Sequence, residues 1–305
     1  MTRPTKKLIT HDGSFHTDDV FACAALVMVL EKKGEKFEIF RTRDEEKIKN
    51  ADYVFDVGGA YDEKLNRFDH HQPGGAGSRI FGEVKIEYSS FGLVWKKFGA
   101  DLCGSKTSAE LIDTKLVASI DAHDNGFDLV EKKCEVFPYL VQDFFRVMRP
   151  TWRETDSKIN EMFFKTVVIA KEILLREIIY AKDTILSNQS IISIYKNTKD
   201  KRIIVFDKNY PSSELISELP EVFFVVYPRE TDNSWGVKAV RNDSKSFKNR
   251  KDLPKLWTGL RDKELQKISG VSDAVFCHRN LFMAVAKSKE GAIKLANLAL
   301  LEPKS

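Results

Sequence analysis

The sequence has no hydrophobic run long enough to cross a membrane, and it has few cysteines. Its longest apolar stretch, Val20–Leu30, is far shorter than the ~20 residues that a transmembrane helix needs. The four cysteines follow no metal-binding spacing, so we expect their sulfurs to take no part in chemistry and the protein to occupy a reducing compartment. The N-terminal MTRPTKK lacks an apolar signal segment. We therefore expect an intracellular protein without a membrane anchor, in the cytoplasm, nucleus or mitochondrion.

The net charge of +4 is too small to identify a partner, but its distribution is uneven. Between Gly236 and Arg261 there are eight Lys or Arg against two Asp, with Trp235, Phe247 and Trp257 interleaved. This composition is typical of surfaces that contact phosphates and stack bases. A solvated basic loop explains it equally well.

The chain of 305 residues predicts two α/β domains. An apolar run at 6–11, a helical pattern at 18–33 and short strands near 37–41 and 52–57 predict a parallel sheet covered by helices on both faces. Ligands of such sheets bind at the C-terminal ends of the strands.

A long helix is predicted over 156–186, with Asp156 as its cap and a break at Ser187-Asn188. We place the domain boundary at that break, which gives domains 1–187 and 188–305. The second domain is predicted to be a smaller mixed sheet, with strands near 190–195, 202–206, 222–228, 235–240 and 274–285 and a helix at 290–300.

Five of the six histidines lie in the first 125 residues, each near an aspartate. They fall into three clusters with their aspartates, His11–Asp19, Asp69–His71 and Asp121–Gly126, and Asp56–Gly59 forms a fourth cluster without histidine. Each cluster alone has a structural explanation: a helix cap at Asp18 or Asp19, a turn after a strand, a polar loop, or a helix that ends in Asn and Gly.

Taken together, the clusters indicate a metal site. Several carboxylates buried side by side are costly unless a cation neutralises them, and imidazole with carboxylate is a ligand set for Mn²⁺, Fe²⁺ or Zn²⁺. Clusters at four strand ends of one parallel sheet would converge. About seven candidate ligands would hold two ions, an arrangement suited to phosphoryl transfer.

The chain resembles the DHH phosphoesterase superfamily, and more narrowly the Myg exonuclease family (melanocyte proliferating gene product), over almost its whole length. The segments that carry the resemblance are Thr10–Val20, Asp56–Gly59, Phe68–Gln72, Asp121–Gly126, Leu253–Arg261 and Glu290–Ala292. The resemblance implies a two-metal DHH domain, a second domain that closes over substrate, and 3′ to 5′ exonuclease activity on single-stranded RNA.

Carried over by position, the resemblance implies ligands and catalytic residues. One ion would be bound by His11, His16 and Asp56, and the other by Asp18, Asp56, His70 and Asp121. His71 would face the scissile phosphate, Asp69 would orient a neighbouring imidazole, and His123 is a further catalytic candidate.

Two departures from the family pattern bear on metal and substrate. Most of the superfamily has Asp where this chain has His16, and nitrogen ligands favour Zn²⁺ or Fe²⁺ over Mg²⁺. We expect Mn²⁺, with Mg²⁺, Zn²⁺ and Fe²⁺ as alternatives. Ala284-Val285 stands where the family usually has a Gly pair. Candidate phosphate contacts in the second domain are Arg241, Arg250, Arg261 and His278.

Three functions agree with these residues. The first is an exoribonuclease, the second a small-molecule phosphoesterase such as a pyrophosphatase or dinucleotide phosphodiesterase, and the third a non-catalytic RNA-binding protein with a structural metal. The third is disfavoured, because a full ligand set retained without chemistry would be unusual. The basic stretch Gly236–Arg261 with its Trp residues favours a polymer and therefore the first function over the second.

Overall fold

The computed structural model describes residues 4–131, 134–154, 158–211, 213–244 and 246–302. The chain divides into two compact units, Met1–Lys182 and Asp183–Ser305. The elements that begin in the first unit are β1 Lys6–Thr10, α1 Thr17–Lys32, β2 Phe37–Arg41, α2 Glu45–Lys49, β3 Tyr53–Phe55, β4 Tyr61–Asp62, β5 Arg67–Phe68, β6 Ser78–Phe81, β7 Val84–Glu87, α3 Ser90–Cys103, α4 Lys106–Ile112, a π-helical turn Asp113–Val117, α5 Ala118–Asp124, α6 Val141–Val147 and α7 Lys158–Asn197.

The first unit contains a sheet in the order β2-β1-β3-β5-β4. The first four strands in this order run parallel, and β4 pairs antiparallel with β5. Leu8 and Ile9, adjacent in β1, belong to different hydrophobic clusters, since neighbouring residues of a strand face opposite sides of a sheet. The Leu8 cluster includes α1, α3 and part of α7, and the Ile9 cluster includes Ile48 of α2.

Helix α1 is the centre of the first unit. Every residue from Thr17 to Leu30 is buried, which explains its continuous apolar sequence, because a helix that is apolar all round must be covered on all sides. Its N-terminus starts directly after the loop that leaves β1. The loop residue His16 and the helix residues Asp18 and Asp19 are thereby fixed beside the strand ends.

The second unit contains a mixed sheet in the order β11-β12-β10-β9-β8, in which only β8 and β9 pair in parallel. Its remaining elements are β8 Ile203–Val205, α8 Ser213–Glu218, β9 Phe224–Arg229, β10 Ser234–Ala239, a 3-10 turn Lys255–Trp257, α9 Asp262–Ser269, β11 Ala274–Cys277, β12 Met283–Ala286 and α10 Lys289–Leu301. The predicted α/β class is confirmed for both halves of the chain.

The break predicted at Ser187-Asn188 is wrong. Helix α7 continues to Asn197, so the strand predicted at 190–195 is helical. The Ser187 hydroxyl donates to the carbonyl of Thr184 at 2.9 Å, and Ile191 is fully buried in the next turn. The predicted cap Asp156 lies outside the described residues. No helix within the described ranges is long and apolar enough to span a membrane.

Candidate metal centre

Three of the four predicted clusters lie at the C-terminal ends of adjacent parallel strands. His11 follows β1, Asp56 follows β3, and Asp69 follows β5. Parallel strands end at the same edge of a sheet, which is why segments far apart in sequence meet here. The fourth cluster is different: Asp121–Asp124 belongs to the last turns of helix α5, so the strand end predicted there is wrong.

The local backbone brings Asp56 into the site. Its φ of +56° lies in the left-handed region, which Asp tolerates better than most residues but which still costs about 1–3 kcal/mol. The chain then turns sharply through Gly58 and Gly59, both with positive φ. The Gly59 amide donates to Asp69 Oδ2 at 2.6 Å, which ties the β3 loop to the β5 loop.

Imidazoles and carboxylates meet within hydrogen-bonding distance around Asp56. His11 Nε2 lies 3.1 Å from Asp19 Oδ2 and 3.2 Å from Asp56 Oδ2. His70 Nε2 lies 3.4 Å from Asp56 Oδ1 and 3.3 Å from Asp124 Oδ2. Asp56 therefore occupies the middle of the cluster, in contact with both histidines.

Three sets of side chains bring potential ligand atoms within 4.8 Å of one another. The sets are His11/His16/Asp56, Asp56/His70/His71 and His16/Asp18/Asp124. Both carboxylate oxygens of Asp18 are buried without a hydrogen-bond partner among the described residues, as is Asp56 Oδ1. Buried oxygens of this kind require a compensating cation, so these groups could bind metal ions.

The electrostatics of the centre favour a positive charge among its carboxylates. Burial raises the pKa of Asp18 well above its usual range, and the nearby Asp56 and Asp124 carboxylates raise it further. Burial also raises the pKa of Asp124. Burial alone would lower the pKa of His11, but hydrogen bonds with Asp19 and Asp56 outweigh it and raise the pKa to about 9. Positive charge or protonation therefore stabilises these buried carboxylates.

Asp121, a predicted ligand, belongs to none of the three sets. Its carboxylate accepts hydrogen bonds from the Ser89 hydroxyl at 2.5 Å and from the Gly92 amide at 3.1 Å. It also pairs with Arg79, whose guanidinium makes two further contacts of 2.7 Å with Asp113. A Cβ at Gly92 would come within 2.0 Å of Asp121 Oδ2, so glycine leaves room for this carboxylate. Asp121 therefore joins helices α3 and α5, and Asp124, not Asp121, belongs to one of the three sets.

The predicted catalytic residues border this centre. Asp69 is buried, and its Oδ1 lies 2.7 Å from Nδ1 of His71, which is the imidazole that it orients. The exposed residues His71 and His123 line a cavity of about 680 Å³ together with His16, Asp18 and Asp124. Asp19 was not proposed as a site residue, because a helix cap explains it, and it does accept a hydrogen bond from the His16 amide at 2.9 Å.

The cavity also contains Arg146 and Arg149, which the sequence analysis missed. They lie in α6 and just after it, in a stretch without the Asp and His pattern that marked the other residues. Their only sequence signal is an i, i+3 pair of arginines, Arg146 and Arg149, which is too common to indicate a site.

The residues predicted to contact phosphate lie in the second unit, and they differ in burial and in the hydrogen bonds that their side chains already make. Arg250 is half-buried, and its guanidinium donates to the carbonyls of Ser217, Leu219 and Val222, so the backbone already uses three of the contacts that could serve a phosphate. Arg241 and Arg261 stack on Phe247 and Phe276 at 4.7 and 4.6 Å. His278 is half-buried, and its Nδ1 accepts from the Asn280 amide at 3.1 Å. Trp257, expected to stack bases, is buried in the core, whereas Phe247 is 87% exposed.

Comparisons with known proteins cover nearly the whole chain. Human MYG1 exonuclease is 28% identical over 96% of this chain and 85% of its own length. The MYG1 protein of Saccharomyces cerevisiae is 30% identical over 98% and 97%, and that of Chlamydia trachomatis 30% over 95% of each.

Two solved structures align with the chain at low similarity. One is an exopolyphosphatase-related protein from Bacteroides fragilis (12% identity, TM-score 0.26, covering 98% of this chain and 92% of that one), and the other is RecJ in complex with Mg²⁺ from Thermus thermophilus (11%, 0.28, covering 98% and 50%). These scores are too low to support a functional inference. The MYG1 exonuclease family, described as "Uncharacterised protein family (UPF0160)", matches residues 7–300. The chain belongs to this family.

Proposed function

We propose that this hydrolase is a two-metal exoribonuclease that removes nucleotides from the 3′ end of single-stranded RNA, with Mn²⁺ as the preferred ion. One observation carries the proposal: buried carboxylate oxygens of Asp18 and Asp56, without hydrogen-bond partners, meet the imidazoles of His11, His16 and His70 at one edge of a parallel sheet. Relatives named exonucleases, which align over 96% of this chain, support a nucleic-acid substrate.

The residues fit two divalent ions that share Asp56. His11, His16 and Asp56 would bind one of them. Asp18, Asp56, His70 and Asp124 would bind the other, with Asp124 in place of the predicted Asp121. Ions bound there would act as Lewis acids on the scissile phosphate and favour ionisation of water.

The protein's own groups would orient the substrate around this centre. Asp69 accepts from Nδ1 of His71, which fixes the ring and leaves Nε2 to contact the scissile phosphate. His123 borders the same cavity and is placed to exchange a proton with a bound ligand. In the second unit, Arg241, Arg261 and His278 remain the candidates for contacts with the RNA backbone.

The decisive experiment compares substrates and labelled ends. Purified protein with Mn²⁺ is incubated with single-stranded RNA labelled at the 5′ or the 3′ end, with the corresponding DNA, with a dinucleotide and with pyrophosphate. We expect 5′-labelled RNA to shorten stepwise, and the 3′ label to appear at once as a mononucleotide. Parallel reactions with Mg²⁺, Zn²⁺ and Fe²⁺ test the metal.

Two variants make this experiment specific. Asp56→Ala should abolish cleavage, whereas Asp101→Ala, which changes an exposed aspartate of α3, should leave it intact. If intact RNA persists while pyrophosphate or the dinucleotide is cleaved, the small-molecule alternative replaces the proposal. If no substrate is cleaved, or Asp56→Ala equals the wild type, the catalytic role is rejected.

A further inference from the structure

The cavity beside the metal centre is larger than one phosphate group requires. Its volume of about 680 Å³ falls within the ~300–1,000 Å³ of pockets that hold whole ligand molecules. One side consists of ligand residues such as Asp18, Asp56 and Asp124, and another consists of α6 and the residues that follow it. Only Arg146 and Arg149 contribute permanently positive side chains to this described lining. A strand that reaches the centre through this cavity would therefore pass these arginines.

Arg149 differs from its neighbour in having no anionic partner. Arg146 is exposed and pairs with Asp143 at 3.0 Å. The guanidinium of Arg149 is half-buried, lies 5.9 Å from the centre of the Phe15 ring, and makes no ion pair with any described residue. Its Nε is buried and has no hydrogen-bond partner in the described ranges. Such a group is costly to keep in a fold, since a half-buried cation loses water without gaining a partner.

The surroundings of Arg149 suit a phosphate. Burial lowers the pKa of this guanidinium, and the negative charges of Asp19 and Asp18 oppose the lowering, so Arg149 is within electrostatic reach of the metal centre. Arg has a planar set of donors that matches two phosphate oxygens at once. Ions at the centre would neutralise the scissile phosphate, and this leaves the next phosphate along the strand to be neutralised by the protein.

We infer that Arg149 binds the phosphate adjacent to the scissile one, on its 5′ side. This inference rests on the proposed function, because it requires a substrate whose scissile phosphate occupies the metal centre. It makes Arg149 a specificity residue that distinguishes a nucleotide chain from a substrate with a single phosphate. It also locates the path of the RNA strand within the first unit.

The first test compares Arg149→Gln with wild type on two substrates in Mn²⁺. A dinucleotide with a 5′-phosphate carries the neighbouring phosphate, whereas bis(p-nitrophenyl) phosphate has only the scissile one. We expect KM for the dinucleotide to rise about 10- to 100-fold, the loss of one charge-assisted contact, with kcat nearly unchanged. For bis(p-nitrophenyl) phosphate, KM and kcat should both stay within about 3-fold of wild type. A change of that size is smaller than the ~10-fold change expected when one such contact is lost.

The second test uses salt. For a longer RNA, the slope of log(1/KM) against log[salt] should become shallower by about 0.7 in Arg149→Gln, the change expected for one lost phosphate contact on a single strand. Arg149→Lys should restore the slope because it keeps the charge. Arg176→Gln, which changes an exposed arginine of α7 stacked on Tyr180, should leave slope and KM unchanged.

The outcomes separate this inference from the function on which it rests. If wild type cleaves neither of these substrates nor the longer RNA, the proposed function fails. If wild type cleaves both and Arg149→Gln matches it, or loses equal activity on both, Arg149 does not bind a neighbouring phosphate. Should Arg149→Gln fail to fold, Arg149→Lys decides: a normal salt slope with a raised KM for the dinucleotide supports the contact, and unchanged constants on both substrates reject it.

Discussion

Asp121 and Asp124 lie three residues apart in α5, yet their carboxylates have different partners. Asp121 is fully buried and is saturated by Ser89, Gly92 and Arg79. Asp124 lies 3.3 Å from His70 and shares a potential ligand set with His16 and Asp18. A carboxylate that already neutralises a guanidinium has little capacity left for a metal ion. One turn of helix thus separates a structural aspartate from a candidate ligand.

The same substitution at these two positions should give opposite results. Asp124→Asn should weaken Mn²⁺ binding by at least about 10-fold, since even indirect partners of a metal site are worth that much. Asp121→Asn should lower the free energy of unfolding by about 1–3 kcal/mol, because it deprives buried Arg79 of a charged partner. Isothermal titration with Mn²⁺ and urea unfolding of the metal-free variants measure the two effects. Equal effects of both variants on Mn²⁺ affinity would contradict this division.

His11 makes the stability of the metal-free protein depend on pH. Its pKa is about 9 in the folded protein and near 6.5 when unfolded, so the proton stabilises the fold. A raised folded-state pKa means that this stabilisation is complete below about pH 6.5 and is lost as the pH rises through about 9. The raised pKa values of Asp18 and Asp124 act in the same direction.

We therefore expect the metal-free protein to lose on the order of 2 kcal/mol of unfolding free energy between pH 6.5 and 9.5. Urea unfolding in EDTA across this range measures the loss. His11→Asn should reduce the slope, whereas the exposed-site variant Asp101→Asn should keep it. Stability that rises with pH in the wild type would show that the buried carboxylates are neutralised in another way.

At the scale of elements, two of the strand ends were predictable and the helical part of the site was not. Apolar runs that end at His11 and Asp56 marked two strand ends, whereas no apolar run marked the short strand β5 before Asp69. Strand parallelism brought all three together. The cluster Asp121–Gly126 lies at the end of a helix, and its two aspartates look alike in sequence. Only the positions of Arg79 and Gly92, far away along the chain, show which of them is already paired.

The course of α7 shows a second limit of sequence patterns. Ser187 and Asn188 favour turns in isolated chains, because their side chains compete for backbone hydrogen bonds. Here the Ser187 hydroxyl bonds back to its own helix and also lies 3.4 Å from the carbonyl of Pro211, while Ile191 is buried one turn later. Tertiary packing stabilises the helix where local preference alone predicts its end.

Helix α8 explains why a positive stretch of sequence is a poor guide to phosphate contacts. Arg250 donates to carbonyls at and beyond the C-terminal end of α8. A cation at this position also interacts favourably with the negative end of the helix dipole. Lys251 likewise donates to the carbonyl of Leu300 at 2.9 Å, at the end of α10. Two of the basic residues in the segment therefore complete helix ends.

Arg250→Met should lower the free energy of unfolding by about 1–3 kcal/mol, because three partly buried carbonyls lose their donor. It should not change the salt dependence of KM for RNA. Arg261→Met supplies the matched comparison, since Arg261 is exposed and rests on Phe276. Hydrogen exchange at Ser217–Val222 and the salt slope of log(1/KM) measure the two quantities. A shallower salt slope in Arg250→Met with unchanged stability would restore Arg250 as a phosphate contact.

For the whole molecule, metal binding and folding should be linked. The buried carboxylates around Asp56 disfavour the folded state without ions, and ions that bind only the folded state stabilise it. At 100 times the dissociation constant, this stabilisation is about 2.7 kcal/mol. A unit of this size then gains roughly 5–10 °C in its unfolding midpoint, at about 2–4 °C per kcal/mol.

Calorimetry of EDTA-treated protein before and after addition of Mn²⁺ measures this shift. Asp56→Asn should remove most of it, because Asp56 belongs to two of the three ligand sets and contacts both His11 and His70. Asp101→Asn should show the full shift. Hydrogen exchange should locate the added protection at His11, Asp56 and His70 and their neighbours in the first unit. If Mn²⁺ stabilises Asp56→Asn as much as wild type, the ions bind elsewhere, and the carboxylates at these strand ends are neutralised by their own protons and by protonated histidines.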